Sequence, residues 1–556
     1  MFDKLFNKYS DSLSNGKIVY LSGDRNLKIS EIVRVAKNDT KVAFRIPKSH
    51  REKFKLLRKH IIKQVKSGVP IYGTTTSYGG RASVVLNKGN EIKRLVNATR
   101  LSDAIIHVDV STGPPIPKEV VRGGMLIRIN MLLSGHSGIR FKNLHALKEL
   151  LNQNITPIVG RYGTIGASGD LAPNGRVLSC LLHNDSAYVW DKDGIKRHAK
   201  DALKVAGIEP ITLLPKEGLA LVNGDNFSTS AGILILHELL SLMLINTIAA
   251  SLNIEALKGS TRNFHPLLSN LRPHPGQELE ARLLRIMLTG SKLALQELKG
   301  FKLRESGKSV QDPYSIRCLP QYYGPDWEAV LEIWNTLQLN ANSVSDNPLW
   351  TTPETTVKGE KPYQWVSGGN FLAMHVAESV DRMRKIMVHI VKQNDRHIAR
   401  LVHPDFNNGL PANLSDKSAL SQSAFKGLQT QMGMYEVYSM LLANPVTTMF
   451  GIHEEFNQDI TSHAFTSVIF AWELLNITRL AIATDLICAC QAIDLRGGPK
   501  LLSPKTKPFY EWLREEVPYI EKEQPLGQYV ESVSDHLLES KIVELIKKGM
   551  NLWTKS

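Results

Sequence analysis

The segment FNQDITSHAFTSVIFAWELLNITRLAIATDLICACQAIDL, residues 456–495, runs for about forty residues without a proline or a glycine. Apolar residues recur through it at three- and four-residue steps, the period of a helix with one buried side. A straight helix of that length is about 60 Å long. Such an element needs partners of similar length, so it packs lengthwise in a bundle or across subunits. Residues 232–257, 330–347 and 371–402 repeat the pattern. From about residue 225 the chain therefore reads as a long-helix bundle, and the fold class as mainly α.

Residues 232–257, GILILHELLSLMLINTIAASLNIEAL, are long enough to cross a bilayer. His237, Glu238, Asn246, Asn253 and Glu255 interrupt the run, which predicts a buried bundle helix and no membrane association. The first seventeen residues lack the apolar run of a secretory signal, and with four cysteines in 556 residues there is no disulfide framework. A cytoplasmic protein with reduced, packed cysteines is expected. Cys488 and Cys490 have no second pair or nearby histidine to complete a zinc spacing, and His453 and His463 are not four apart. No metal is expected. The net charge of +15 raises nucleic-acid binding as an option. Residues 48–66 alone hold eight Lys/Arg against one Glu, but Phe54, Leu57, Ile61 and Val65 form an apolar stripe through them. A solvated basic face on an amphipathic helix accounts for this segment, and no nucleic-acid partner is expected. The charge excess can still attract carboxylate substrates.

Four regions follow: an extension at 1–17, a mixed domain at 18–224, the helical bundle at 225–503, and a more charged helical region at 504–556. Neither internal repeats nor low-complexity segments are present. Polar clusters sit where apolar runs end, a common place for chemistry. PIYGTTTSYGG carries Tyr72 and Tyr78, and LALVNGDN carries Asn223. VQDPYSIRCLPQ carries Gln311, Tyr314 and Arg317. NSVSDNPLW and SGGNF carry Asn347 and Phe371, and HEEFNQD carries Glu454 and Gln458.

One further stretch, GTIGASGDLAPNG, is nearly bare of side chains. With Gly160, its glycines at 163, 166 and 169 recur every third residue. Glycine at 169 lets its amide nitrogen approach the Ala167 carbonyl carbon with little steric resistance. Attack there closes a five-membered ring, and loss of two waters, the second carrying the Ser168 hydroxyl, leaves an electrophilic alkylidene. The residues alone leave a plainer option open: a Gly-rich turn in which Asp170 caps the next helix.

On Ala167-Ser168-Gly169 within GASGDLAP, the sequence resembles the ammonia-lyases and 2,3-aminomutases of aromatic amino acids, whose prosthetic group is 4-methylideneimidazol-5-one (MIO). The likeness runs from about residue 18 to 500. It continues in family order through YGTTTSYGG, RINMLLSGHSGIR, EGLALVNG, QDPYSIRCLPQ, SVSDNPL, GGNF, NQD and QAIDLRG. The resemblance implies that Ala167, Ser168 and Gly169 form the MIO autocatalytically, with no external cofactor or metal. It implies Tyr72 as the base that removes the β-proton, and Arg317 as a bidentate clamp on the substrate carboxylate. Asn223 and Tyr314 would contact the MIO and the amino group; Gln311, Asn347, Phe371, Glu454 and Gln458 would line the pocket. It also implies a homotetramer whose sites draw on three subunits.

Counting back from RINMLLSGHSG places the family's ring-reading pair at His107-Val108, which is similar to the tyrosine-using members. A slip of register would instead bring Asp109 to the ring and favour histidine. Histidine enzymes carry Ser-His at the pair and Glu at position 458. Glu454 is what phenylalanine lyases have where tyrosine lyases tend to have Asn. The resemblance thus implies a tyrosine ammonia-lyase giving p-coumarate, with the phenylalanine, histidine and aminomutase activities as alternatives. TSYGG, where lyases more often have TGFG, keeps the mutase open. A basic helical binding protein with an inactive loop would lack Tyr72, Ser168 or Arg317, and all three are present.

Overall fold

The computed structural model describes residues 2–295, 311–449 and 451–539, apart from positions 15, 17, 25 and 39, together with residue 544. The helices described are α1 (Phe2–Ser12), α2 (Ile29–Lys37), α3 (Lys48–Lys66), α4 (Glu91–Ala104), α5 (Lys118–Leu132), α6 (Phe141–Asn152), α7 (Leu171–Leu181), α8 (Ala199–Val205), α9 (Glu217–Val222) and α10 (Asn226–Ala256). Beyond them lie α11 (Pro266–Leu271), α12 (Pro275–Leu288), the single turn α13 (Tyr314–Arg317), α14 (Leu319–Asn340), α15 (Met374–Val402), α16 (Lys426–Leu442), α17 (Ala464–Leu495), α18 (Lys507–Glu516) and α19 (Gly527–His536). Strands are two to four residues long and form small peripheral sheets. The fold is mainly α, as the helical periodicity predicts.

Helix α10 is the axis. It is apolar on every side, so it has no face to give to water, and α5, α12, α14, α15 and α17 surround it. Each polar residue that interrupts its sequence meets a partner from another element. His237 Nε2 lies 2.7 Å from Ser12 Oγ, and Glu238 pairs with Arg479 at 3.1 Å. Asn246 and Asn253 donate to Tyr323 Oη and Asp485 Oδ2, both at 2.9 Å. The Glu255 carboxylate accepts from Ser503 N and Thr506 Oγ1. A buried polar group without such a partner would cost free energy; these ones fix the register of the bundle. Both α10 and α17 are long and apolar enough to cross a membrane, yet the most apolar window of α10 is 94% buried by protein.

Helix α17 begins at Ala464, later than its sequence period suggests. Residues 456–463 form a loop in which Phe456 and His463 take left-handed conformations, φ 64° and 51°. The pull comes from outside: His463 N donates to Ile165 O at 2.9 Å and Ser462 Oγ to Gly166 O at 3.1 Å. Helix α3 agrees with its reading, since Phe54, Leu57, Ile61 and Val65 are all buried. Cys180, Cys488 and Cys490 are buried and Cys318 is half-buried, all as thiols.

The first residues are part of the core. On α1, Phe2, Leu5, Phe6 and Tyr9 are buried, and the Phe6 ring meets Trp327 edge-on at 5.9 Å. Tyr9 Oη also hydrogen-bonds Ser241 of α10. Phe6→Ala should therefore destabilise the protein by about 3 kcal/mol, the range for emptying a buried aromatic site. Urea denaturation checks this; an unchanged midpoint would mean that α1 is dispensable to the fold.

Candidate active site

The bare stretch occupies the crossing point of three chain segments. It leaves the short strand Gly160–Tyr162, which pairs antiparallel with Thr112–Pro115, and enters α7. A Cβ on Gly166 would lie 2.2 Å from Ser462 Oγ, and one on Gly169 would lie 2.3 Å from the Gly224 carbonyl carbon. Gly169 also sits at φ +70°, where L side chains are strained. The glycines thus serve close approach by other backbone, and the loop is closed on itself as well. Bridges join Gly166 and Ala167 to Gly169, and Thr164 Oγ1 donates to Gly169 O at 2.9 Å. Asn223 Nδ2 donates to Ser168 O at 3.1 Å, and Gln458 Nε2 to Ser168 Oγ at 3.4 Å.

Asp170 precedes α7 but its side chain does not cap that helix. It caps α10 instead: Ser228 donates to it from N at 2.7 Å and from Oγ at 2.6 Å. Its main-chain N donates to Gly224 O at 2.8 Å. The N-termini of α7, α10 and α17 therefore converge on Ala167-Ser168-Gly169, and each brings partial positive charge. A buried charge cluster underlies them. Lys216 pairs with Asp346 at 2.9 Å, Arg128 donates to Ala220 O, and Asp225 accepts from Asn340 at 3.0 Å. Burial pushes the Asp170 carboxyl up to about 7, against the hydrogen bonds from Ser228. Burial likewise lowers Lys216, which Asp346 opposes. Thr164 lies within GTIGASGDLAPNG and Arg128 opens RINMLLSGHSGIR, but neither stretch marks them as site residues; Lys216 carries no motif-like signal, and only the fold places the three here.

Tyr72 reaches the same place from the loop before α4. Its hydroxyl accepts from Gly79 N at 2.9 Å. Burial raises the phenol above its ordinary pKa; the Gly79 N–H opposes that shift and the Glu454 carboxylate adds to it. Glu454 packs so closely on this loop that a Cβ on Gly79 would fall 1.6 Å from its Oε1. Glu454 and Glu455 both have left-handed backbone, and Arg81 Nε meets Glu455 Oε1 at 2.9 Å. His107 and Val108 lie on the turn Ile105–Val108, with the His107 ring 6.2 Å from that of Tyr78. Asp109 is engaged elsewhere: Arg176 Nε donates to it at 2.8 Å and Ser179 Oγ at 2.6 Å. A register slip that turned its carboxylate to the ring would break both bonds.

Asn347 stays near the triad through its neighbours, since Asp225 N donates to Ser345 Oγ and Asp346 pairs with Lys216. Its Oδ1 accepts from Gly368 N at 2.9 Å, three residues before Phe371. Beside Phe371, a cavity of about 760 Å³ opens between His136, Trp350, Asn370 and His375. Gln311, Tyr314 and Arg317 are elsewhere. Asp312 accepts from Ser260 N and Asn263 Nδ2 just past the C-terminus of α10, while the triad sits at its N-terminus. The 31 residues of α10 separate the two groups by about 45 Å. Tyr314 is 72% exposed, and the Arg317 guanidinium lies over its ring at 4.4 Å. One protomer thus links Tyr72, Ala167-Ser168-Gly169, Asn223, Asn347, Glu454 and Gln458 through these contacts, and holds Gln311, Tyr314 and Arg317 apart. Among the described residues no cluster could hold a metal ion.

Comparison with known proteins agrees with this geometry. Residues 27–515 match the model of the aromatic amino acid lyase family. The phenylalanine ammonia-lyase of Nostoc punctiforme is 33% identical over 92% of this chain and 91% of its own. The histidine ammonia-lyase 1 of Fusobacterium nucleatum is 31% identical over 95% and 97%. The tyrosine aminomutase of Streptomyces globisporus superposes with a TM-score of 0.84 at 28% identity, over 95% of this chain and 99% of that one. Fold and site define an enzyme of carbon–nitrogen bond cleavage. The chain belongs to the aromatic amino acid lyase family, of the ammonia-lyase and aminomutase kind.

Because the Glu454 charge opposes ionisation of Tyr72, Glu454→Gln should lower the Tyr72 pKa. The acidic limb of the rate–pH profile should then move to lower pH. A limb that stays in place or moves up would separate Glu454 from the ionisation of Tyr72.

Proposed function

We propose that this enzyme is a tyrosine ammonia-lyase, releasing ammonia and p-coumarate from L-tyrosine. What carries the choice of ring is the geometry at His107. Its Nδ1 lies 2.8 Å from Ala104 O. A carbonyl only accepts, so Nδ1 bears the proton and Nε2 keeps its lone pair. An Nε2 acceptor suits the phenol O–H of tyrosine and has no partner on phenylalanine. Val108, beside it, is apolar, as a ring wall should be. The engagement of Asp109 by Arg176 and Ser179 counts against histidine.

Ala167, Ser168 and Gly169 fit an MIO, because Gly169 is bare, left-handed and hydrogen-bonded to Thr164. Thr164, Asn223 and Gln458 would hold the group, and it would supply an electrophile for the substrate amine. Tyr72 takes the β-proton onto its phenolate oxygen while Gly79 N–H donates to that oxygen. A phenol raised by burial needs cationic help near neutral pH. Arg317 and Tyr314 stand a helix length away in their own protomer, so a second copy of the chain supplies them. There Arg317 binds the carboxylate through two parallel N–H bonds, a geometry that lysine lacks. The assembly is a homotetramer with shared sites, acting in the cytoplasm.

A second reading, a tyrosine 2,3-aminomutase, draws on the Arg81–Glu455 pair. It ties the Tyr72 loop to residues 453–458, and a fastened loop would retain the unsaturated acid for re-amination. Product analysis separates the readings, with L-tyrosine, L-phenylalanine and L-histidine supplied one at a time. The lyase gives p-coumarate with equimolar ammonia; a β-amino acid with little ammonia would make it the mutase. Turnover of phenylalanine or histidine alone would overturn the role of His107. Intact mass should be two waters below the sequence value, and Ser168→Ala should abolish both the deficit and the activity.

A further inference from the structure

The bundle buries a chain of polar side chains that the chemistry above does not use, and it ends on the turn that carries Arg317. Asn246 Nδ2 donates to Tyr323 Oη at 2.9 Å, and Tyr323 Oη donates to Gln393 Oε1 at 2.8 Å. The Gln393 amide nitrogen then packs on the His397 ring, 3.0 Å from Nδ1 and 2.5 Å from Nε2. His397 Nε2 lies 3.1 Å from the carbonyl oxygen of Ser315. The Ser315 carbonyl can only accept, so Nε2 carries the proton of that bond. Asp485 stands beside the ring at 3.5 Å and accepts from Asn253 at 2.9 Å. Both His397 and Asp485 are fully buried.

Ser315 lies between Tyr314 and Arg317 on a turn of only four residues. So short a turn does not hold itself, and its flanks are anchored from two sides. Asp312 is fastened to residues 260 and 263, and Ser315 to His397 on α15. On the Arg317 side chain, Nε is buried with no hydrogen-bond partner among the described residues, and the guanidinium rests on Tyr314 of the same turn. The direction in which Arg317 points is therefore set through its backbone.

We infer that His397 is a positioning residue for substrate carboxylate binding: its Nε2–H fixes the Ser315 carbonyl, and with it the turn that aims Arg317. The ring itself is held between Gln393, which Tyr323 fastens, and Asp485. This rests on the assignment of Arg317 as the carboxylate clamp.

The test compares His397→Gln, whose amide can still reach the carbonyl, with His397→Asn, which is polar but too short. Arg317→Lys serves as control. The readouts are KM and kcat for whichever amino acid the enzyme turns over, and the inhibition constant of its unsaturated acid, which shares the carboxylate. The Asn variant should raise KM and the inhibition constant together by about tenfold with little change in kcat, the signature of lost binding that is uniform along the reaction. The Gln variant should stay within about threefold of wild type. Equal values for Asn and Gln, or a loss confined to kcat, would overturn the role of His397. An unchanged KM in Arg317→Lys would instead show that the clamp assignment had failed, and the inference with it. Both variants keep a polar group at the buried site, and their urea midpoints are measured alongside so that a loss of fold is told apart from a loss of binding.

Discussion

Asp170 joins the reactive stretch to the frame of the molecule. Its main chain holds Gly224 while its carboxylate closes the N-terminus of α10 through Ser228. The first amides of a helix have no internal partners, and those of α10 are buried, so a carboxylate there satisfies donors that water cannot reach. Ala167-Ser168-Gly169 is thereby fixed to the most buried helix of the fold. The loops around it, 72–81 and 453–458, are then placed by contact with each other: Glu454 on Gly79, and Gln458 on Ser168.

The same attachment sets the electrostatics. Three helix N-termini aimed at one short loop favour negative charge there, which suits chemistry that makes the loop accept electrons. The buried neighbours are balanced in kind: Lys216 against Asp346, and Arg128 among Asp170, Asp225 and Asp346. Removing one partner of such a cluster is far more costly than the pair is stabilising. Tyr72 is the exception, because no cation among the described residues acts to lower it. Burial and Glu454 both act against its ionisation. The length of α10 keeps Arg317 at the far end.

Long-range order was legible in the sequence wherever apolar period was strong. Residues 226–256 and 374–402 fold as their spacing suggests, and the basic segment 48–66 buries its four apolar residues. The start of α17 was not legible, because hydrogen bonds to the carbonyls of Ile165 and Gly166, some three hundred residues away, decide it. Asp170 looked like a cap for the helix that follows it and caps another. The motif residues could be picked out as polar breaks in apolar chain, and the family resemblance gave them roles. Their division between the two ends of α10 follows from helix length and could not be read from any motif. Lys216 and His397 are single polar residues in unremarkable surroundings, and only tertiary contact gives them meaning.

The proposed site combines the Ser168 of one protomer with the Arg317 of another. Co-expression of differently tagged Ser168→Ala and Arg317→Ala chains, followed by isolation of the hybrid oligomer, tests it directly. Each variant alone should be inactive. The hybrid should regain a substantial part of wild-type ammonia release, because some of its sites combine an intact Ser168 with an intact Arg317. A hybrid as inactive as its parents would place both residues in one protomer's site and contradict the account.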